Sequence, residues 1–205
     1  MAGPVEDQLA ERGLHRGTDG LVRCAWGVGS EEYRDYHDHE WGVPVRGDEA
    51  LYERITLEAF QSGLSWITVL RKRPAFRVAF RSFDPRAVAE FSAVDIERLM
   101  GDATIIRNRL KIEAAIANAQ ALVHLWESDG PGALTDLVWS HALPGPRPRD
   151  RRQIPSRTPA STALCAALKS RGFRFVGPTT MYAAMQACGL VDDHLEGCYA
   201  GVGGG

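Results

Sequence analysis

Long apolar runs are missing from this 205-residue chain. None reaches the ~18 residues that a membrane-crossing helix needs. The stretch Met1 to Gly20 is polar and charged, without the apolar block of a secretory signal. Both absences predict a cytoplasmic protein with no membrane partner. Cysteine is scarce, limited to Cys24, Cys165, Cys188 and Cys198. So few thiols in a cytosolic chain of this size do not build a disulfide scaffold, so metal binding or catalysis is the expected use. An excess of positive charge is lacking too: 24 Lys and Arg face 26 Asp and Glu, a net charge of −2. That excludes a uniformly basic nucleic-acid binder and leaves only local patches. Arg71–Arg73, Arg107–Lys111, Arg147–Arg152 and Lys169–Arg174 are such patches, each equally readable as solvated surface. Alternating strand patterns and internal repeats are absent as well.

Helical periodicity is present. Leu51, Ile55 and Ala59 mark a helix over Asp48–Ser62, and Ile67–Phe80 a second, broken by Pro74. Ser92–Met100 opens on a capping residue, with Asp95 three positions on. Ile105–Trp126 carries Ile112, Ile116, Ala119 and Val123 on one stripe, and Ser161–Lys169 and Thr179–Cys188 close the series. Pro144–Pro159, rich in Pro and Arg, reads as a loop. The fold class is all-α. Residues 1–22 read as a flexible extension, 23–200 as a single domain and 201–205 as a loose tail.

Three groups of residues carry chemistry. Cys24 and His37 lie near the start, and His194 and Cys198 near the end with i, i+4 spacing. Two thiolates and two imidazoles suit a closed tetrahedral Zn2+ site that would tie the first and last ordered segments together. A surface histidine, buried apolar cysteines or a Cys24–Cys198 disulfide are the competing readings. Second, Trp26, Tyr33, Tyr36, Trp41, Tyr52 and Trp66 surround Glu58 in the sequence, and Glu58 shares a helix face with Leu51 and Ile55. A carboxylate on an apolar stripe is costly unless paired or functional. It is either a salt bridge to Arg54 or Arg71, or the selector of a cationic ring among aromatics. Third, Gly172 and Gly177 flank a short apolar turn between two helices, with Lys169, Arg171 and Arg174 beside it. Such a helix-hairpin-helix pattern offers backbone N–H groups to a DNA phosphate, unless it is an ordinary helix corner.

Several blocks then resemble the DNA-3-methyladenine glycosylase I (Tag) family: Arg23-Cys24-x-Trp26, Tyr36-His37-Asp38-x-Glu40-Trp41-Gly42-Val43-Pro44, Leu57-Glu58 and Gln61-x-Gly63-Leu64-Ser65-Trp66. Phe83-Asp84-Pro85, Ile105-Ile106-Arg107-x-Arg109-x-Lys111-Ile112, Arg171-Gly172-Phe173-x-Phe175-Val176-Gly177 and Met185–Val191 continue the resemblance, which runs from about Arg23 to Tyr199. It implies a helix-hairpin-helix DNA glycosylase fold and base-excision repair, with hydrolysis of the N-glycosidic bond of 3-methyladenine in double-stranded DNA; a monomer is the default expectation for a base-flipping enzyme. It implies structural zinc on Cys24, His37, His194 and Cys198. The implied base pocket contains Glu58, Tyr36 and Trp66, with Trp26, Tyr33 and Trp41 as an aromatic surround. The implied DNA contacts are Leu64 and Ser65 entering the duplex, and Lys169, Arg171, Gly172, Gly177 and Thr179 at the hairpin. Pro178-Thr179 stands where other hairpin glycosylases carry a nucleophilic lysine, so no lyase activity is expected. Two departures stand out. Ala59-Phe60 replaces an expected Gly-Gln, and Asp192 lies where the catalytic aspartate of the wider superfamily falls, or else serves the metal ligands. The alternative function is a non-catalytic, zinc-stapled DNA-binding module.

Overall fold

The computed structural model describes residues 4–200. These are mostly helical and gather into two compact units. A terminal unit comprises Met1–Pro44, Ala142–Ser156 and Met185–Gly205, and a central unit comprises Val45–His141 and Arg157–Ala184.

The terminal unit begins with helix α1 (Pro4–Arg12) and the antiparallel pair β1 (Leu14–Arg16) and β2 (Val22–Cys24), in the register Leu14 opposite Cys24. The stretch that composition presents as a flexible extension therefore takes up helix and strand. Leu9, Leu14 and Val22 pack with Cys24, Ile154, Leu195, Cys198 and Ala200 in one apolar cluster. Burial of these few side chains, not local propensity, orders the segment. Residues 1–3 and the expected tail 201–205 lie outside the described residues. Helix α2 (Glu31–His39) comes next, capped by the Ser30 hydroxyl, which accepts from the Tyr33 N–H. Glu31 and Glu32 in its first turn and His37 and His39 in its last suit the helix dipole.

The central unit holds α3 (Asp48–Gln61), α4 (Trp66–Ala79), α5 (Pro85–Ala89), α6 (Ala93–Gly101), α7 (Arg109–Asp129), α8 (Ala133–Trp139), α9 (Pro159–Ser170) and the first part of α10 (Pro178–Ala187). Helix α4 runs through Pro74 without the break that the sequence suggests. The missing N–H forfeits a single ladder bond, while Val69, Leu70, Phe76 and Ala79 stay buried along the same helix. The Ser92/Asp95 capping box starts α6 as expected. Helix α7 starts at Arg109, four residues later than its apolar stripe suggests, because the Asn108 side chain caps it by accepting from the Lys111 N–H. Stacked Phe80 and Phe83, with Phe60 and Phe76, form the aromatic heart of this unit. The buried Asp48 carboxylate accepts from Trp126 Nε1 (2.6 Å), Gly132 N (2.9 Å), Thr135 N (2.8 Å) and the Thr135 hydroxyl. One acid thus fastens the start of α3 to the end of α7 and the start of α8.

Candidate functional site

Cys24, His37, His194 and Cys198 converge in the terminal unit. All four are buried, and one ligand atom from each lies within 4.8 Å of every other. Cys24 closes β2, His37 sits in the last turn of α2, and His194 and Cys198 come from the segment after α10. Cys198 Sγ lies 3.5 Å from His37 Nε2 and 3.6 Å from His194 Nδ1, and Cys24 Sγ lies 4.0 Å from that same nitrogen. A tetrahedron with metal–ligand bonds of about 2.0–2.3 Å has edges of about 3.3–3.8 Å. The donor set therefore suits a four-coordinate metal with no position left for water, with two spacings inside that range and Cys24 slightly beyond it. Neither sulfur is in a disulfide. Hydrogen bonding from Cys24 and the two imidazoles pulls the Cys198 thiol below its ordinary range, while the shared proton and burial push Cys24 up. The Leu195 N–H donates to Cys24 Sγ at 3.4 Å.

The far ring nitrogens are also fixed. His37 Nδ1 hydrogen-bonds Asp38 Oδ1 at 2.8 Å, and His194 Nε2 hydrogen-bonds the Trp41 carbonyl at 3.0 Å. These bonds orient both imidazoles toward the sulfurs. Asp38 is itself held by Arg23, whose Nε lies 3.0 Å from both carboxylate oxygens and whose other nitrogens reach Asp19. Burial pulls Asp38 up, but bonds from Arg23, Tyr199 and His37 outweigh it and leave it below the usual carboxylate range. Gly27 completes the cage. A β-carbon there would meet the His37 ring at 2.6–2.8 Å, so no larger residue fits without moving a ligand. Asp38, Arg23 and Gly27 have no assigned role in the sequence reading, although the Tyr36-His37-Asp38 block contains one of them. Asp192 is engaged nearby. It takes a bond from Arg147 Nε at 2.8 Å and one from the His194 N–H at 3.2 Å, while Arg147 Nη1 reaches the Cys198 carbonyl at 2.9 Å. The Pro- and Arg-rich loop thereby grips the ligand segment.

The aromatics of the terminal unit cluster on this cage. Trp26 packs edge-on to Tyr33 (5.5 Å), His37 (5.2 Å) and Trp41 (4.9 Å), with Tyr36 at 6.4 Å. Trp41 packs on His194 at 4.7 Å. Tyr36 is buried, whereas Trp26 remains half-exposed.

The other expected residues belong to the central unit. Glu58 lies on α3 with Leu51 and Ile55, all buried, and is itself 4% exposed. Burial raises its pKa to about 8, against the pull of the Arg54 guanidinium one turn earlier. Arg54, one of the two salt-bridge partners expected for Glu58, is the charge that opposes this rise. Leu64 and Ser65 are exposed in the connection to α4, which begins at the buried Trp66.

Lys169, Arg171, Gly172, Gly177 and Thr179 all fall at the α9–α10 connection. Gly172 has φ +90°, and Phe173 N–H reaches the Leu168 carbonyl (3.1 Å) while Gly172 N–H reaches that of Lys169 (3.0 Å). This double bond pattern ends a helix on a left-handed residue and calls for glycine. Asn118, 1% exposed on α7, clamps the turn: Arg174 N–H donates to its Oδ1 (2.6 Å), and its Nδ2 donates to the Arg174 carbonyl (3.1 Å). Arg171 pairs with Asp129 at the surface. Asn118 escapes the sequence reading. Its signal is a polar residue directly beside the apolar stripe of α7.

Comparison with known proteins agrees with this arrangement. The methyladenine glycosylase family model matches residues 26–201. DNA-3-methyladenine glycosylase 1 of Escherichia coli (strain K12) is 49% identical over 87% of this chain and 96% of its own length. A crystal structure of 3-methyladenine DNA glycosylase I (TAG) superposes with a TM-score of 0.83 at 47% identity, covering 87% of this chain and 99% of that one. The Staphylococcus aureus enzyme, solved for the structural basis of its 3-methyladenine recognition, gives a TM-score of 0.80 at 35% identity over 86% of this chain and 94% of its own. Matched over most of its length by sequence and by fold, the protein belongs to the methyladenine glycosylase family.

Proposed function

We propose that this chain is a DNA repair glycosylase that hydrolyses the N-glycosidic bond of 3-methyladenine. The observation that carries the reading is Glu58, a carboxyl buried on an apolar helix face whose pKa burial raises to about 8, in a family whose named members act on this lesion. A carboxyl buried on an apolar face costs stability and is retained for a ligand. Alkylation at N3 gives adenine a positive charge and leaves its exocyclic amine as a donor. Ionised Glu58 meets that charge. A neutral adenine would leave it unsatisfied, at a cost of about 1–3 kcal/mol or more.

Trp66, at the start of α4 in the unit that carries Glu58, stacks on the extruded base. The α9–α10 turn acts as a helix-hairpin-helix element. Gly172, Gly177 and Thr179 present backbone to a phosphate of duplex DNA, with Lys169 and Arg171 adding charge. Leu64 and Ser65 enter the space vacated by the flipped nucleotide. Water attacks the anomeric carbon and releases a proton to solvent, the carbon–nitrogen bond breaks, and its electron pair neutralises the departing cationic base. No lysine stands at Pro178-Thr179, so no Schiff base forms and the strand stays intact.

Cys24, His37, His194 and Cys198 hold a structural Zn2+, which fastens the segments from both ends of the sequence and takes no part in hydrolysis. The enzyme acts as a cytoplasmic monomer. The test is base release from methylated duplex DNA, with borohydride added in a parallel reaction. Free 3-methyladenine and no trapped adduct are expected. Binding without release would instead favour a DNA-binding module.

A further inference from the structure

Lys111 is a buried ammonium with an unusual pair of acceptors. From the first turn of α7 its Nζ donates to the Phe60 carbonyl at 2.9 Å and to the Ser62 carbonyl at 2.6 Å. Phe60 lies in the last turn of α3 and Ser62 is its C-cap. Carbonyls at a helix C-terminus lack intrahelical donors, and a cation there satisfies them and offsets the dipole. A neutral donor would also bond these oxygens, without the cost of several kcal/mol that burying a charge carries. The charge therefore points to a demand for rigidity at this spot.

The segment being held lies just beyond Ser62. Ser62 has φ −44° and ψ 114°, Gly63 has φ +84°, and Leu64 N–H donates to the Gln61 carbonyl at 2.6 Å. These are the features of a type II turn, which needs glycine at its third position. The turn leaves Leu64 43% exposed, a large apolar side chain facing solvent. Only one turn of helix separates Glu58 from this clamp.

We propose that Lys111 is a positioning residue: its ammonium locks the Gln61–Leu64 turn so that Leu64 stands rigidly poised for insertion, on the same helix end that carries the base selector. This rests on the proposed entry of Leu64 into the duplex. Without the clamp, the turn has to be ordered during each encounter with DNA, and that ordering is subtracted from the energy available for displacing the lesion.

The test replaces Lys111 by Met, which keeps the apolar stem and removes the donors. Two substrates are compared, a methylated adenine opposite thymine and the same lesion opposite an abasic site, where extrusion meets little resistance. For Lys111→Met, kcat/KM on the paired lesion falls about tenfold or more, with a fall of less than about threefold on the unopposed lesion. Hydrogen exchange of the Leu64 amide speeds up about tenfold in the DNA-free variant. Lys111→Arg, which keeps charge and donors, restores both readouts to within about threefold of the original chain. Lys111→Leu carries the same comparison if the Met variant does not fold. Equal losses on both substrates, or unchanged Leu64 exchange, overturn the inference. The exchange measurement needs no catalysis, so failure of the unaltered chain to release base counts against the glycosylase reading and leaves the clamp to be judged by the amide.

Discussion

Asp38 and His37 are neighbours in sequence, and the carboxylate of one holds the ring of the other at 2.8 Å, so that His37 Nε2 faces Cys198. This bond sets which ring nitrogen is free to ligate. Asp38→Asn keeps the shape and removes the charge. Zinc affinity is expected to fall about 10- to 100-fold, the usual effect of removing such an outer partner. Competition with a coloured chelator measures it, and an affinity equal to that of the original chain would count against the assigned tautomer.

Cys198→Ala takes away a ligand as well as packing in the apolar cluster of the terminal unit. Metal analysis should show loss of bound zinc. Melting should fall by about 10 °C, corresponding to roughly 3 kcal/mol or more in a chain of this size. A melting point indifferent to both the substitution and chelator would remove the structural role.

Glu58 makes stability and activity move in opposite directions with pH. Its folded pKa is raised to about 8 from the ordinary 4.5. Between those two values the folded state holds a proton that the unfolded chain has released. The contribution of Glu58 to stability is therefore greatest below about pH 4.5 and declines as pH rises toward 8, by up to about 5 kcal/mol. Glu58→Gln should abolish this slope and melt higher at pH 8. A cationic lesion binds the ionised acid, so kcat/KM of the unaltered enzyme should rise with pH until about 8, accompanied by proton release on binding. For Glu58→Gln excision should drop by about 10²-fold or more with the pH rise gone. Equal rates for the two proteins on 3-methyladenine would show that another group selects the base.

Asn118 holds Arg174 by two backbone bonds from the buried face of α7. Asn118→Ala should cost about 1–3 kcal/mol, since both backbone groups lose their partner. Duplex affinity should weaken with lesion selectivity unchanged, because the clamp shapes the turn proposed to bind a phosphate, which does not read the base. Fluorescence anisotropy on methylated and plain duplexes checks this. A change in selectivity with affinity intact would be the wrong outcome.

Much of this was legible in the order of residues. The periodicity of Leu51, Ile55 and Glu58 placed an acid on a buried face, and burial there is what raises its pKa. Two Cys and two His bracketing the chain suggested one site, and they meet in one unit. The helix start at Ser92 and the stop at Gly172 come from local chemistry, since capping and a left-handed stop involve only residues within a turn or two. Other features were not legible. Residues 4–22 read as loose because their order comes from Leu195, Cys198 and Ile154, far away in sequence. Pro74 reads as a break because a sequence shows the lost bond and not the burial that outweighs it.

Sequence alone determined the family and the helical class, and it singled out Glu58 and the four Cys and His residues that could hold a metal, since these rest on residue type and spacing. Tertiary structure alone decided that Asp38 and Trp41 fix the ring tautomers, that Asp192 serves Arg147 and the His194 backbone, and that Lys111 and Asn118 each hold a turn some fifty residues distant. The physical reason is that a hydrogen bond spanning such distances along the chain leaves no periodic trace in it. A polar residue beside an apolar stripe looks like surface until the fold supplies the carbonyl it was waiting for.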